Sequence, residues 1–399
     1  MSGDKPLTIL IAADTYPPDI NGAAVFSHRL ATAMQSRGHT VHVVAARDVN
    51  GPGIVEHRRE ATVHRLRSHS QPTKSTLRLC LPWEAKRDIG RILDEIKPDI
   101  VHVQCHYMVG QAAVNEAEKR GIRTVATNHF MPENLDPFLP FPKWFKRIVA
   151  RNSWRDMGKI MGKAAVVTTP TPLAARAMMT HARLRRVLPL SNGINASNYQ
   201  IDPGETVPRA QHPMLLFVGR LAVEKNVDVL VQALSLTRSE PAPHLTIVGS
   251  GEQRGPLERR VAELGLQDRV HFTGHIEDAE LRVAYLQADV FCQPGTAELQ
   301  SLVTLEALSA STPVVLADAM ALPHLVDNGV NGYLFTPGDP NDLAKKVDAI
   351  LGLEASERAR MGAAGLKKAE QHSETKTMDI FEALYRGAGA DDFLVAPDA

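Results

Sequence analysis

Cysteine is scarce: the chain of 399 residues has three, Cys80, Cys105 and Cys292, widely separated and odd in number. That argues against a disulfide framework and for a reducing, cytoplasmic compartment. Charge imbalance is missing too, since 45 Lys and Arg stand against 45 Asp and Glu. No global field calls for nucleic acid or a membrane, so any basic surface has to be local. No apolar run reaches the length of a bilayer span, and the opening MSGDKPLTILIAA holds an apolar stretch of strand length without a cleavage-site pattern. A soluble protein, at most peripheral on the inner face of the membrane, is the expectation. Also lacking is any Asp-x-Asp pair to hold a catalytic divalent ion, and neither a metal nor another cofactor is expected.

What is present is an ordinary globular composition with an alternating grammar. Short β-branched runs at 7–13, 41–45, 100–104 and 123–128 read as strands, with helical patterns such as 26–37 between them. Strands apolar on both faces, in βα order, point to a parallel doubly wound sheet. The grammar restarts with strands at 214–218, 244–248, 270–273, 290–293 and 313–316 and helices at 227–235, 256–264 and 279–288. The turn-rich stretch 192–212 reads as a linker. Two α/β domains follow, 1–195 and 196–375, with 376–399 as a terminal helix crossing back to the first domain and a frayed tail.

Several residues stand where such sheets bind ligands. In PGTAELQSLVTLEALSA, Glu298 and Glu306 are eight apart, and the helix near 302–310 is apolar almost all round. A carboxylate on a buried helix needs a partner. Ribose hydroxyls would serve Glu306, Glu298 could reach a hexose from its loop, and the N–H groups of Leu302 and Val303 suit a phosphate. A structural ion pair explains one buried Glu as well, or better. Arg220 and Lys225 in FVGRLAVEKN follow the first strand of the second domain, where two cations would neutralise a diphosphate. A solvated surface pair is the plainer alternative. Gly22, Gly249 and Gly251 lie between strands and helices and would admit a phosphate or base, although ordinary turns explain them almost as well. His129 opens a polar loop after a strand and could contact a sugar. In HVQCH, His102 and His106 share a strand face and Cys105 does not, which weighs against a metal site. Finally, 143–163 carries seven basic residues against one acidic, interleaved with aromatics. Lys143, Trp144, Lys146, Arg147 and Arg151 are candidates for contact with anionic lipid headgroups, with core packing the equal alternative.

Read together, these motifs resemble the retaining family 4 glycosyltransferases, over almost the whole chain. The resemblance implies the GT-B fold, two Rossmann-like domains facing across a cleft, and a nucleotide-sugar donor such as a UDP-sugar or GDP-mannose. It implies that Gly22 approaches the diphosphate, that His129 lies by the donor sugar, and that Arg220 and Lys225 of the GR-xxxx-K pattern grip the diphosphate. Glu298 and Glu306 of the E-x7-E motif would contact hexose and ribose, and Ile276 of FTGHIE would offer its backbone to the base. The chain departs from the common pattern at Ala23, at Leu299, Gln300 and Ser301 in place of Gly-Phe-Gly, and at Ser311 in place of Gly. The Glu-x-Gln variant is similar to members that glycosylate diacylglycerol and other membrane lipids. The expected activity is hexose transfer with retention to such a lipid. The alternatives are transfer to a small soluble acceptor, sugar-nucleotide binding without transfer, and a two-domain epimerase.

Overall fold

A computed structural model of the chain describes residues 5–19, 21–70, 78–132, 142–208 and 210–394. The chain forms two compact units, one of Met1–Ser191 with Lys376–Ala399 and one of Asn192–Thr375, and passes between them twice.

The first unit is built on eight strands in the order Leu188–Pro189, Val166–Thr169, Arg123–Thr127, Ile100–Val103, Thr8–Ala13, Thr40–Ala46, Thr62–Leu66, Ile54–His57. Every pairing is parallel except the last, an antiparallel edge. Ile9 to Ala13 are buried without interruption, as a strand covered by helices on both faces must be. Chain order reverses between Thr8–Ala13 and Ile100–Val103, which is where a doubly wound sheet opens a crevice at its carboxyl edge. The second unit repeats the scheme with six parallel strands, in the order Val270–Gly274, His244–Val248, Met214–Val218, Val290–Gln293, Val314–Ala317, Gly332–Phe335. Its reversal falls between Met214–Val218 and Val290–Gln293. Both units are Rossmann-like.

The terminal helix, Glu374–Tyr385, belongs to the core of the first unit. Met378, Phe381, Leu384 and Tyr385 pack with Ile9, Ile11, Phe26 and Leu30, and Arg37 holds Asp379 and Glu382 at 2.7 and 2.9 Å. Beneath this helix the buried His102 meets the Tyr385 hydroxyl at 2.6 Å through Nδ1 and Thr127 Oγ1 at 2.7 Å through Nε2. Burial holds this imidazole neutral, lowering its pKa to about 3. Both ring nitrogens are thereby occupied within the core.

Three expectations change. The stretch 192–212 is no free linker: Tyr199 packs edge-on against Tyr285 at 5.7 Å, and Glu205 takes both Nη atoms of Arg282 at 2.6 Å. Turn-forming residues signal irregular backbone, which here is pinned to the second unit by side chains. The first unit ends at Ser191, a few residues early, because Ile194 donates its N–H to His372 O and bridges Ser373. Strands Ile54–His57, Thr62–Leu66, Val166–Thr169 and Gly332–Phe335 were not anticipated. In Thr62–Leu66 the buried Arg65 breaks the apolar pattern, its guanidinium reaching Glu56, Ala46 O and Pro17 O. Ser311 sits at φ +58°, a left-handed conformation that suits Gly better than Ser.

Tyr385→Phe removes the bond to the buried Nδ1 of His102 and is expected to cost about 1–3 kcal/mol in urea unfolding, while Phe381 and Leu384 keep the helix docked. A loss within error would mean that His102 is satisfied otherwise.

Candidate active site

The carboxyl ends of the two central strands of the second unit carry the loops that matter. After Met214–Val218, Gly219 at φ +155° turns the chain, and Arg220 points outward. A 3-10 turn, Val223–Lys225, follows, then Asn226 at φ +47°, a left-handed position that Asn tolerates. After Val290–Gln293 comes the loop 294–301. The two loops are sewn together: Asn226 Nδ2 donates to Pro294 O and Thr296 Oγ1, and Thr296 N–H donates to Glu224 O. Two ion pairs lie on this seam. Lys225 Nζ donates to Glu298 Oε1, and Arg220 Nη2 donates to Glu224 Oε1 at 2.5 Å. The Lys and Glu of the two sequence motifs are thus in direct contact.

Beneath them lies Gln293, fully buried, whose Oε1 accepts the Gly295 N–H at 3.3 Å and whose Nε2 has no partner among the described residues. A Cβ on Gly295 would stand 3.2 Å from Gln293 Oε1 and 3.4 Å from Glu298 Oε1. A side chain there would press on both groups and push them apart by a few tenths of an ångström. Composition and motif gave no sign of Gln293 or Glu224, since neither breaks a pattern.

Helix Leu302–Ser309 starts at the buried Ser301, whose hydroxyl makes no cap bond to the backbone and instead meets Thr304 Oγ1 at 2.8 Å. The first-turn N–H groups of Leu302 and Val303 are left for an anion. Glu306 is buried on this helix and accepts the Tyr285 hydroxyl at 2.8 Å. Burial, then the Glu306 charge, raises the Tyr285 pKa well above its ordinary value, so it stays a donor. Tyr285 gives Glu306 the structural partner that the sequence alone could not name. Leu299 and Gln300 are also buried, with Gln300 Oε1 accepting the Asn192 N–H at 2.9 Å.

Gly249 and Gly251 have a clear packing role. Their φ values are +127° and +159°, and a Cβ would come within 2.0 Å of Gly219 O and 2.3 Å of Leu221 O. They let the loop after His244–Val248 close onto the Arg220 loop, where Leu221 N–H donates to Ser250 O at 2.9 Å. Ile276 lies farther along the same edge, between Val270–Gly274 and helix Asp278–Gln287.

In the first unit Gly22 opens helix Gly22–Ser36, capped by Asn21 Oδ1 from the Ala24 N–H, and a Cβ there would meet nothing within 4 Å. His129 follows Arg123–Thr127, joins Gln104 Oε1 at 2.8 Å and lies 4.9 Å from the Phe26 ring. Burial lowers its pKa to about 3, so it acts as a neutral hydrogen-bonding group and not as a cation. Asp14, which the sequence reading passed over, follows Thr8–Ala13. Its Oδ1 accepts the Val109 N–H at 3.0 Å, its Oδ2 is buried without a hydrogen-bond partner among the described residues, and burial raises its pKa to about 6 against the backbone bonds of Val109 and Gly110.

The basic segment forms helix Lys143–Met161. Trp154, Met157, Ile160 and Met161 are buried, whereas Trp144 and Ile148 are 63% and 38% exposed. Lys146, Arg147 and Arg151 lie on this more open amino-terminal half. The Lys143 side chain and residues 133–141 of the His129 loop lie outside the described residues.

Residues 20–198 match the family described as Glycosyltransferase Family 4, and residues 200–368 the family Glycosyl transferases group 1. The chain is 27% identical to glycogen synthase of Mycobacterium tuberculosis, with 96% of each chain covered. It is 24% identical to alpha-monoglucosyldiacylglycerol synthase of Acholeplasma laidlawii, over 84% of this chain and 86% of that one. Its fold matches that of Anabaena HepE, solved in complex with UDP, with a TM-score of 0.74 at 20% identity, over 95% of this chain and all of that one.

Asp14 ties the stability of the first unit to pH. A carboxyl whose pKa is higher folded, about 6, than unfolded, 3.8, binds its proton more tightly in the native state. Its contribution to stability is therefore lost as pH rises through that window. Asp14→Asn keeps an oxygen for the Val109 N–H and is expected to exceed wild type in stability by about 1–2 kcal/mol at pH 7.5, with the gap closing below pH ~4. Urea unfolding across that range checks it, and a pH-independent difference would refute the assignment.

Proposed function

This chain belongs to the family 4 glycosyltransferases, with the GT-B fold and a nucleotide-sugar donor, and from that premise we propose that it transfers a hexose to a membrane-lipid acceptor. In this reading the configuration at the sugar is retained and no metal ion takes part. The observation that carries the site assignment is the Lys225–Glu298 contact. A carboxylate that accepts from sugar hydroxyls and an ammonium that meets phosphate, side by side, match the hexose-phosphate junction of a sugar nucleotide.

Binding follows from the seam between the two loops. Arg220 and Lys225 take the diphosphate, the first-turn N–H groups of Leu302 and Val303 add donors, and Glu306, steadied by Tyr285, accepts from the ribose. The acceptor hydroxyl attacks C1 from the face that the nucleotide leaves. The C1–O bond to phosphate breaks as the new glycosidic bond forms, and the departing phosphate oxygen takes the hydroxyl proton. The groups that stabilise the developing charge are fixed before reaction, and each such donor is worth ~3 kcal/mol, or roughly a hundredfold in rate. Two cations fulfil the electrostatic task that a divalent ion performs elsewhere.

The lipid acceptor rests on the helix Lys143–Met161, where exposed Trp144 and Ile148 accompany Lys146, Arg147 and Arg151. Aromatic and apolar side chains among cations suit the interface of an anionic membrane. The similarity to a diacylglycerol glucosyltransferase supports the same acceptor class. Among the described residues no helix is long and apolar enough to cross a membrane.

A panel of UDP-, GDP- and ADP-sugars with EDTA present tests the transferase: one donor should release nucleotide slowly, and Glu298→Ala and Arg220→Ala should each lower that rate by about a hundredfold. Near wild-type turnover in Arg220→Ala would sink the assignment. Flotation with anionic vesicles tests the acceptor class. Binding that Trp144→Ala weakens and that neutral vesicles do not support is expected, and no vesicle binding would favour a small soluble acceptor.

A further inference from the structure

The Arg220 loop contains one charged group that the reaction just described does not use. Glu224 sits in the 3-10 turn Val223–Lys225, next to Lys225 in sequence, yet the two side chains take different partners: Lys225 goes to Glu298 and Glu224 to Arg220. The Arg220–Glu224 pair is lopsided. Arg220 is 53% exposed at its side chain and Glu224 only 10%, and the second carboxylate oxygen of Glu224 is buried with no partner among the described residues. Its backbone is fixed as well, since Glu224 O accepts the Thr296 N–H from the neighbouring loop at 3.2 Å.

A pair of this kind contributes little to stability when one partner is half in water. A carboxylate kept mostly out of water with an unmet oxygen is a poor choice for packing alone. Its geometry suits orientation. A guanidinium is a rigid planar fork with five N–H donors. Here one of them is spent on an anchored carboxylate, and Arg220 has no other hydrogen-bonding partner among the described residues. The rest of the fork is free at the solvent side.

We propose that Glu224 is a positioning residue, holding one edge of the Arg220 guanidinium so that its remaining N–H groups meet the diphosphate of the donor as the bond to the sugar breaks. The proposal rests on the reading of Arg220 as a diphosphate ligand. It gives the acidic residue of the GRLAVEK segment a task distinct from those of the two cations. Because the free guanidinium would still find an anion, loss of Glu224 spares ground-state binding. What suffers is alignment with charge that appears only in the transition state.

The test is a double-mutant cycle on donor turnover, read as nucleotide release from the active sugar nucleotide, in the full chain. Glu224→Ala is expected to lower kcat about tenfold or more while changing KM less than about threefold. Glu224→Gln, which keeps an oxygen for the Arg220 N–H, should recover most of the loss. In the Arg220→Ala background, Glu224→Ala should change nothing further, because its effect passes through Arg220. Circular dichroism and urea unfolding confirm that each variant is folded, and binding of the free nucleoside diphosphate by Glu224→Ala confirms that ground-state binding is spared. Wild-type kcat in Glu224→Ala, alongside a slow Arg220→Ala, overturns the positioning role alone. So does a loss of equal size in both backgrounds. Wild-type turnover in Arg220→Ala instead fails the underlying reading of the diphosphate site, and the role of Glu224 with it.

Discussion

The seam between the loops after Met214–Val218 and Val290–Gln293 is the constraint on which the site of the second unit depends. Their strands are neighbours in the sheet but far apart in the chain, so the loops meet only when the parallel sheet has formed in register. The Asn226 side chain, the Glu224 carbonyl and the Lys225–Glu298 pair then fix them to one another. A Cβ at Gly295 would press on Gln293 and Glu298 at this join, and Gly249 and Gly251 admit a third loop against the Arg220 loop. Close packing rather than local propensity decides which residue types these positions accept.

How much of this could be read in the sequence depends on whether a residue announces itself by pattern. The central strands did, because burial on both faces leaves an unbroken apolar run, as at Ile9 to Ala13 and Leu215 to Val218. So did Glu306, a lone carboxylate on a helix otherwise apolar. Its partner Tyr285 did not, since an aromatic residue on a helix is unremarkable until a carboxylate is found 2.8 Å from its hydroxyl. Gln293 and Glu224 escaped for a related reason. Each is a polar residue near a strand end, where polar residues are ordinary, and only the absence of a partner for one of its atoms gives it meaning.

The two acidic side chains at the carboxyl edges contrast in how their surroundings treat charge. Glu298 lies against an ammonium, whereas Asp14 has two backbone donors and one unmet oxygen, and its burial outweighs them. His129 shows the same rule for a base: enclosed between Phe26 and Gln104, it is kept neutral. At these strand ends Asp14 and His129 are pushed toward their neutral forms by burial, while Glu298 is paired with Lys225.

The terminal helix has a consequence for how the molecule is made. Phe26, Leu30 and His102 emerge early during synthesis, but the side chains that cover them, Phe381 and Tyr385, follow only after the second unit. The second unit is encoded between them. The core of the first unit therefore stays incomplete until helix Glu374–Tyr385 has left the ribosome. The unit whose strands are made early is thus sealed only after all of the second unit has been synthesised.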